Sequence, residues 1–188
     1  MTIRSASICL LLLRSGFAAV PTPESHFGHK IGVDNELLDW DKVVSYFQAL
    51  PKASDRIRFQ ELGKTADGRP QIAVTISSAA NIKNLDHYLD IQKRLADPRR
   101  TSPAESLRLM NEGKVIVMIT CSIHATEVAS THTSIEFAYR LLTEENNPKF
   151  KAILDNVILL LEPSQNPDGV DIVTKWYRKT RGTPFDGT

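Results

Sequence analysis

Two uninterrupted apolar runs constrain this chain more than any other feature. Val115-Ile116-Val117-Met118-Ile119-Thr120 and Val157-Ile158-Leu159-Leu160-Leu161 have strand length, are rich in aliphatic and β-branched residues, and lack the polar alternation of a half-solvated strand. Such runs suit strands buried on both faces of an α/β sheet. Between them, Val128 to Thr143 reads as a helix, with Ile135, Phe137, Ala138, Leu141 and Leu142 available for burial, and Asn146-Asn147-Pro148 closes it. Strand, helix, strand at this spacing predicts a βαβ unit with a right-handed crossover. The fold class is therefore α/β, with a mixed, largely parallel sheet and flanking helices.

Upstream, Trp40, Val43, Val44, Phe47 and Leu50 recur at helical spacing from Asp39 onward, and Pro51 ends the run. Arg56 to Leu62 alternates polar and apolar residues, Asp67-Gly68-Arg69-Pro70 is turn chemistry, and Gln71 to Ile76 reads as the returning strand of a hairpin. Leu85 to Ala96 is expected to be a helix closed by Asp97-Pro98. Ser102-Pro103-Ala104-Glu105 has the form of a helix start, with Ser102 as N-cap and Pro103 at the first position.

The first residues read as a targeting segment. Arg4 supplies a charge, Ile8 to Leu13 a short apolar run interrupted by Arg14, and Ala18-Ala19 small residues near a cut, with Pro21 and Pro23 marking the change to a mature chain. We therefore expect a signal peptide over 1–20, an N-terminal extension with a helix over 21–50, and a secreted or periplasmic protein. No later stretch approaches the ~20 apolar residues of a membrane span. With 188 residues and a formal net charge of +1, the chain lacks the basic excess of a nucleic-acid binder, so none is expected as a partner. Of its two cysteines, Cys9 lies in the signal and Cys121 stands alone, which leaves no pair for a disulfide and no thiolate zinc site in the mature chain. Any metal must be held by His and carboxylates.

In α/β sheets ligands bind beyond the C-terminal ends of the strands. After the first buried run comes Cys121-Ser122-Ile123-His124-Ala125-Thr126-Glu127. His124 and Glu127, three apart at a strand-to-helix junction, can converge on one point as the N and O ligands that zinc accepts. The same pair could instead cap the helix or favour its dipole. After the second run comes Asn166-Pro167-Asp168-Gly169, which reads as a tight turn leaving the sheet. Lys175-Trp176-Tyr177-Arg178-Lys179-Thr180-Arg181 is either a solvated basic patch or the source of an Arg that polarises a carbonyl. His132 reads as a surface helix residue, His87 belongs to another helix, and His26 and His29 follow the signal. The His-Glu-x-x-His pattern of other zinc proteases is absent.

Ile-His-Ala-Thr-Glu after one buried strand, Asn-Pro-Asp-Gly after the next, and then Trp-Tyr-Arg-Lys-Thr-Arg together resemble the zinc carboxypeptidases of the pancreatic carboxypeptidase A type, peptidase family M14. The resemblance covers about Val115 to Arg181. It implies a Zn2+ cofactor bound by His124 and Glu127, and a substrate-carbonyl contact from Arg178, although Tyr177 separates Trp176 from that arginine. It implies peptide-bond hydrolysis on peptide or protein substrates, with residues 51–188 forming the front part of the catalytic domain. The family also needs a third ligand His, a general-base Glu and a grip on the substrate's terminal carboxylate, none of which can be assigned up to Thr188. On that basis the sequence is expected to be an N-terminal fragment, inactive alone. A zinc amidase or deacylase of the same fold, and a non-catalytic binding module, are the alternatives.

Overall fold

In the computed structural model, residues 18–144 and 146–186 are described; the bulk of the expected signal peptide lies outside them. Four strands form one sheet: β1 (Ile57–Lys64), β2 (Pro70–Ile76), β3 (Val115–Thr120) and β4 (Val157–Glu162), in the order β1-β2-β4-β3. β3 and β4 run parallel, register for register from Val115 opposite Val157 to Thr120 opposite Glu162. Between them the chain crosses over through α6 (Val128–Thr143), as the periodicity predicts.

The sheet is mixed, but its parallel part is smaller than the sequence suggests. β1 and β2 form the expected hairpin, closed by a turn in which Thr65 N–H donates to the Arg69 carbonyl at 2.8 Å, so they are antiparallel by construction. β2 then docks antiparallel on β4 through Val74 to Ile76. Among the described strands only the βαβ pair is parallel. A second correction concerns β3. β4 is buried on both faces, whereas β3 stands at the edge of the described sheet, with Val115 and Met118 each at least 60% exposed.

The helices follow local signals closely. α1 (Pro23–Phe27) is a single short turn capped by Thr22. α2 (Trp40–Ala49) buries Trp40, Val43, Val44 and Phe47 of the stripe read from the sequence, and Tyr46 besides; Leu50 is buried just beyond its end. Trp40 is fully buried and its indole N–H donates to the Pro70 carbonyl at 2.8 Å, fixing α2 against the start of β2. α3 (Ala79–Lys83) was not anticipated; the Ser78 side chain caps it. α4 (Leu85–Ala96) has the predicted bounds. α5 (Pro103–Glu112) starts as predicted, with the Ser102 hydroxyl accepting from Glu105 N–H. Asn147-Pro148 opens α7 (Pro148–Asn156) as well as closing the region of α6: the Asn147 side chain accepts from Lys149 N–H and Pro148 takes the first helical position. Finally, α8 (Pro167–Thr180) leaves the C-terminal end of β4.

One apolar cluster joins α2, β2, β4 and α6, drawing on Trp40, Phe47, Ile72, Ile135 and Leu161 among others. Removing so large a buried side chain as Trp40 is worth roughly 3–5 kcal/mol. This cluster sits under the sheet and fixes the two strand ends from which the candidate site is built.

Candidate metal site at the parallel strand ends

The parallel pair stays zipped beyond its last ladder residues. Cys121 N–H donates to the Glu162 carbonyl at 3.0 Å, and Gln165 N–H donates to the Cys121 carbonyl at 2.8 Å. The Cys121 thiol is half-buried, and burial, with the nearby Glu162 charge second, pushes its pKa up, which keeps it a thiol. Ser122 then adopts a left-handed backbone, φ +47°, and turns the chain out of the strand toward the surface.

That turn brings His124 and Glu127 together. His124 Nδ1 and Glu127 Oε1 lie 3.2 Å apart, and both side chains are exposed, at 73% and 59%. Glu127 occupies the N-cap of α6, yet its side chain makes no capping bond. The helix-cap alternative is therefore not realised, and the carboxylate faces the imidazole. An imidazole nitrogen and a carboxylate oxygen are donor types that Zn2+ accepts, and here the two converge at the mouth of a parallel strand. Among the described residues no group of three or more His, Cys, Asp or Glu gathers to complete a metal shell.

The remaining histidines are engaged elsewhere. His132 is a correction: it is buried rather than on the surface, and its Nε2 accepts from Leu38 N–H at 3.2 Å. Burial first, and the proximity of His29 second, hold its pKa below the usual imidazole value, so it serves as a neutral acceptor for the N-terminal segment. The partner comes from a segment 94 positions earlier in the chain, which the periodicity of α6 does not show. His87 Nε2 lies 3.0 Å from Glu112 Oε1, and His26 Nε2 lies 2.9 Å from Ser45 Oγ.

Asn166-Pro167-Asp168-Gly169 is a helix N-terminus rather than a tight turn. The Asn166 side chain accepts from Gly169 N–H at 3.0 Å and Pro167 stands in the first turn of α8. The sequence contained this signal: an Asx cap, Pro at N1, an acidic first turn and Val170, Val173 and Tyr177 at helical spacing. Asn166 Nδ2 also donates to the Ile123 carbonyl at 3.3 Å, so the cap ties α8 to the residue before His124. A Cβ built on Gly169 would meet Ala125 Cβ at 2.6 Å, which shows how closely α8 approaches the His124–Glu127 loop.

A group of charges that sequence reading missed locks the other side of α8. Asp168 accepts from Thr65 Oγ1 at 2.7 Å, Arg69 Nη1 at 2.7 Å and Asp67 N–H at 3.2 Å, and these bonds, led by Thr65, hold its pKa down. Buried Asp171 accepts from Trp40 N–H at 2.9 Å, Arg69 Nε at 2.8 Å and Lys175 Nζ at 3.1 Å. Its burial alone would raise its pKa, but these bonds outweigh it and the net shift is downward. One guanidinium thus links the hairpin turn to the first turns of α8.

Arg178 lies in the last turn of α8. Its Nη2 donates to the Leu37 carbonyl at 3.0 Å and to Asp39 Oδ1 at 2.8 Å. Nine residues of helix separate it from Gly169, about 13 Å along the axis, and its partners belong to the segment before α2 rather than to the His124 loop. Asp39 also accepts from Thr174 Oγ1 at 2.7 Å, and its pKa, pushed up by burial, is brought below the usual range by these two partners. The structure therefore brings His124 and Glu127 together and holds Arg178 apart from them.

The structure thus holds a histidine–carboxylate pair at the end of a parallel strand in an α/β sheet. The sequence profile of the zinc carboxypeptidases matches residues 43–186, and the chain belongs to that family, peptidase M14. No curated protein matches the sequence. Among solved structures, thrombin activatable fibrinolysis inhibitor (TAFI) aligns with a TM-score of 0.54 at 14% identity, over 82% of this chain and 29% of that one. Carboxypeptidase A from Helicoverpa armigera aligns with a TM-score of 0.50 at 19% identity, over 79% of this chain and 27% of that one. At such identities the likeness shows a shared carboxypeptidase-like fold. The chain spans less than a third of either protein's length.

Proposed function

We propose that this chain carries the first two ligands of a zinc-dependent metallocarboxypeptidase site, hydrolysing peptide bonds in peptide or protein substrates. The observation that carries the reading is the convergence of His124 and Glu127 at 3.2 Å beyond a parallel strand end, in a chain of the zinc carboxypeptidase family. In this reading His124 and Glu127 hold Zn2+, and the metal when bound supplies Lewis acidity that lowers the pKa of a coordinated water. The chain's own contribution is to fix the two donors. Backbone bonds from Glu127 N–H to the His124 carbonyl and from Ser130 N–H to the Glu127 carbonyl, both 3.1 Å, hold them at the start of a packed helix. Arg178 is proposed to stabilise the substrate carbonyl oxygen, a contribution on the order of 3 kcal/mol for an oxyanion donor. For that role it must exchange Asp39 and the Leu37 carbonyl for substrate. The apolar run and small residues within 1–20 support export to the periplasm or outside the cell.

The test is metal content and peptidase activity of a longer protein that carries this chain, the 188-residue chain alone being expected to have negligible activity. One equivalent of zinc, lost in His124→Ala, with activity lost in Glu127→Ala, is the expected result. Undiminished activity in Glu127→Ala would sink the proposal. Peptides with free and amidated C-termini distinguish a carboxypeptidase, which needs the free carboxylate, from an amidase or deacylase of the same fold.

A further inference from the structure

The residue that turns the chain from β3 into the His124–Glu127 loop is a serine in a conformation that favours glycine. Ser122 is 4% exposed and has φ +47°, a region that a residue with a Cβ enters at a conformational cost. Its hydroxyl lies at the centre of a buried network. Thr131 Oγ1 donates to Ser122 Oγ at 2.7 Å, Ser130 Oγ lies 2.7 Å away, and Ser122 Oγ donates to the Glu127 carbonyl at 3.2 Å. Thr131 fills one acceptor position of this hydroxyl, and Ser122 and Ser130 share two protons between their mutual contact and the Glu127 carbonyl. Ser130 Oγ reaches the same Glu127 carbonyl at 2.9 Å, and Ser122 N–H donates to Ser130 Oγ at 3.0 Å. On the other side, Ser164 Oγ donates to the Ser122 carbonyl at 3.4 Å, tying this knot to the loop after β4.

The network converges on the backbone of Glu127, and this is where it bears on the site. Glu127 has φ −84° and ψ 55°, outside the helical basin, and its carboxylate makes no capping bond. Its backbone is held by Glu127 N–H donating to the His124 carbonyl and by Ser130 N–H donating to the Glu127 carbonyl, both at 3.1 Å, and the serine hydroxyls add to this anchor. The Ser122–Ser130 hydroxyl pair lies against the Glu127 carbonyl, while the Glu127 carboxylate is directed at His124.

We propose that the Ser122 hydroxyl is a positioning group that fixes Glu127 relative to His124 for metal binding. The proposal rests on the reading of those two residues as zinc ligands. It goes beyond that reading in assigning the geometry of the pair to a buried serine that touches neither metal nor substrate.

The first variant is Ser122→Gly, which keeps the positive-φ turn accessible and removes the hydroxymethyl side chain with its hydroxyl. Two readouts are taken on the protein: amide hydrogen exchange of Glu127 and Ser130 without metal, and Co2+ affinity followed by visible absorption. If Ser122 positions the pair, exchange at Glu127 and Ser130 rises at least ten-fold while β4 amides are unchanged. Co2+ affinity falls ten- to a hundred-fold, the range for loss of an outer-shell partner. Ser130→Ala, which leaves φ at residue 122 untouched, moves both readouts in the same direction and stands in for Ser122→Gly should that variant not fold. Wild-type exchange and affinity in the variants would overturn the proposal while leaving the ligand reading intact. A wild-type protein that takes up no Co2+ overturns both.

Discussion

Replacing Gly169 by alanine tests whether the approach of α8 to the His124–Glu127 loop is as close as the geometry requires. The new methyl would lie 2.6 Å from Ala125 Cβ, 2.7 Å from Asn166 Nδ2 and 2.8 Å from Asn166 Cγ. Ordinary carbon contacts need about 3.5–4.0 Å, so α8 or the loop must shift by about 1 Å. Ala125 has no rotamer with which to yield, and the Asn166 side chain is committed to capping Gly169 N–H at 3.0 Å. Overpacking of this kind costs about 1–3 kcal/mol, and disturbing the cap about 1 kcal/mol more. Against this, alanine gains at most ~1 kcal/mol of helix propensity over glycine. The net is a destabilisation of about 1–3 kcal/mol. For a chain of this size that is a fall in melting temperature of roughly 2–12 °C, at about 2–4 °C per kcal/mol. Thermal unfolding followed by circular dichroism measures it. Because Ala125 lies between the two proposed ligands, Co2+ affinity should fall in the same variant. Adding Ala125→Gly removes one of the three clashing atoms, so the double variant should recover part of the loss, a non-additivity expected for groups in contact. A Gly169→Ala protein that melts at or above the wild type would refute the packing argument, since propensity would then have won.

The pH dependence of stability follows from two other positions. Burial, with His29 second, holds the pKa of His132 below 6.5, so as pH falls below 6.5 the unfolded chain takes up a proton that the folded chain refuses. Stability should decline through that window, and His132→Gln should flatten the decline. A residual slope is expected, because burial lowers the pKa of His26 in the same way. Asp171 works at the acid end: its pKa is depressed from 3.8, so its contribution is present above 3.8 and lost as pH drops below it. Asp171→Ala removes a buried acceptor from Trp40 N–H, Arg69 and Lys175. At roughly 1.5–3 kcal/mol for each hydrogen bond to a charged group, it should cost about 3 kcal/mol or more in urea unfolding at neutral pH. A loss below 1 kcal/mol would show that Arg69, still paired with Asp168, carries the junction without it.

Much of the fold is legible because its signals are local. The β-branched runs at 115–120 and 157–161, the 3.6-residue stripe of α2 and the Ser102 cap each act within a few residues, and each element appears where the pattern puts it. α7 and α8 were missed for one reason: Asn-Pro was read as punctuation alone. In Asn147-Pro148 and Asn166-Pro167, the same two residues end one segment and begin a helix, because Asn caps and Pro fills the first turn, where no N–H is needed. Of the candidate site, the His124–Glu127 pair was legible through its spacing, since three residues at a strand-to-helix junction bring both side chains to one side. The surroundings of Arg178 were not, because Leu37 and Asp39 are about 140 positions away in the chain.

What the sequence determined by itself was the list of elements, the βαβ unit and the motif set that marks the zinc carboxypeptidase family. Periodicity, caps and motif spacing are properties of neighbouring residues. Only the tertiary structure decided that β2 joins β4 antiparallel, that β3 takes the edge of the described sheet, and that buried His132 accepts from Leu38 N–H. It alone placed Ser122 in a left-handed turn wired to Glu127, and Gly169 against Ala125. These outcomes depend on which surfaces meet when the hairpin, the crossover and the N-terminal segment pack on one core. That choice is made by burial and by the pairing of buried polar groups across long sequence separations, which no local pattern encodes.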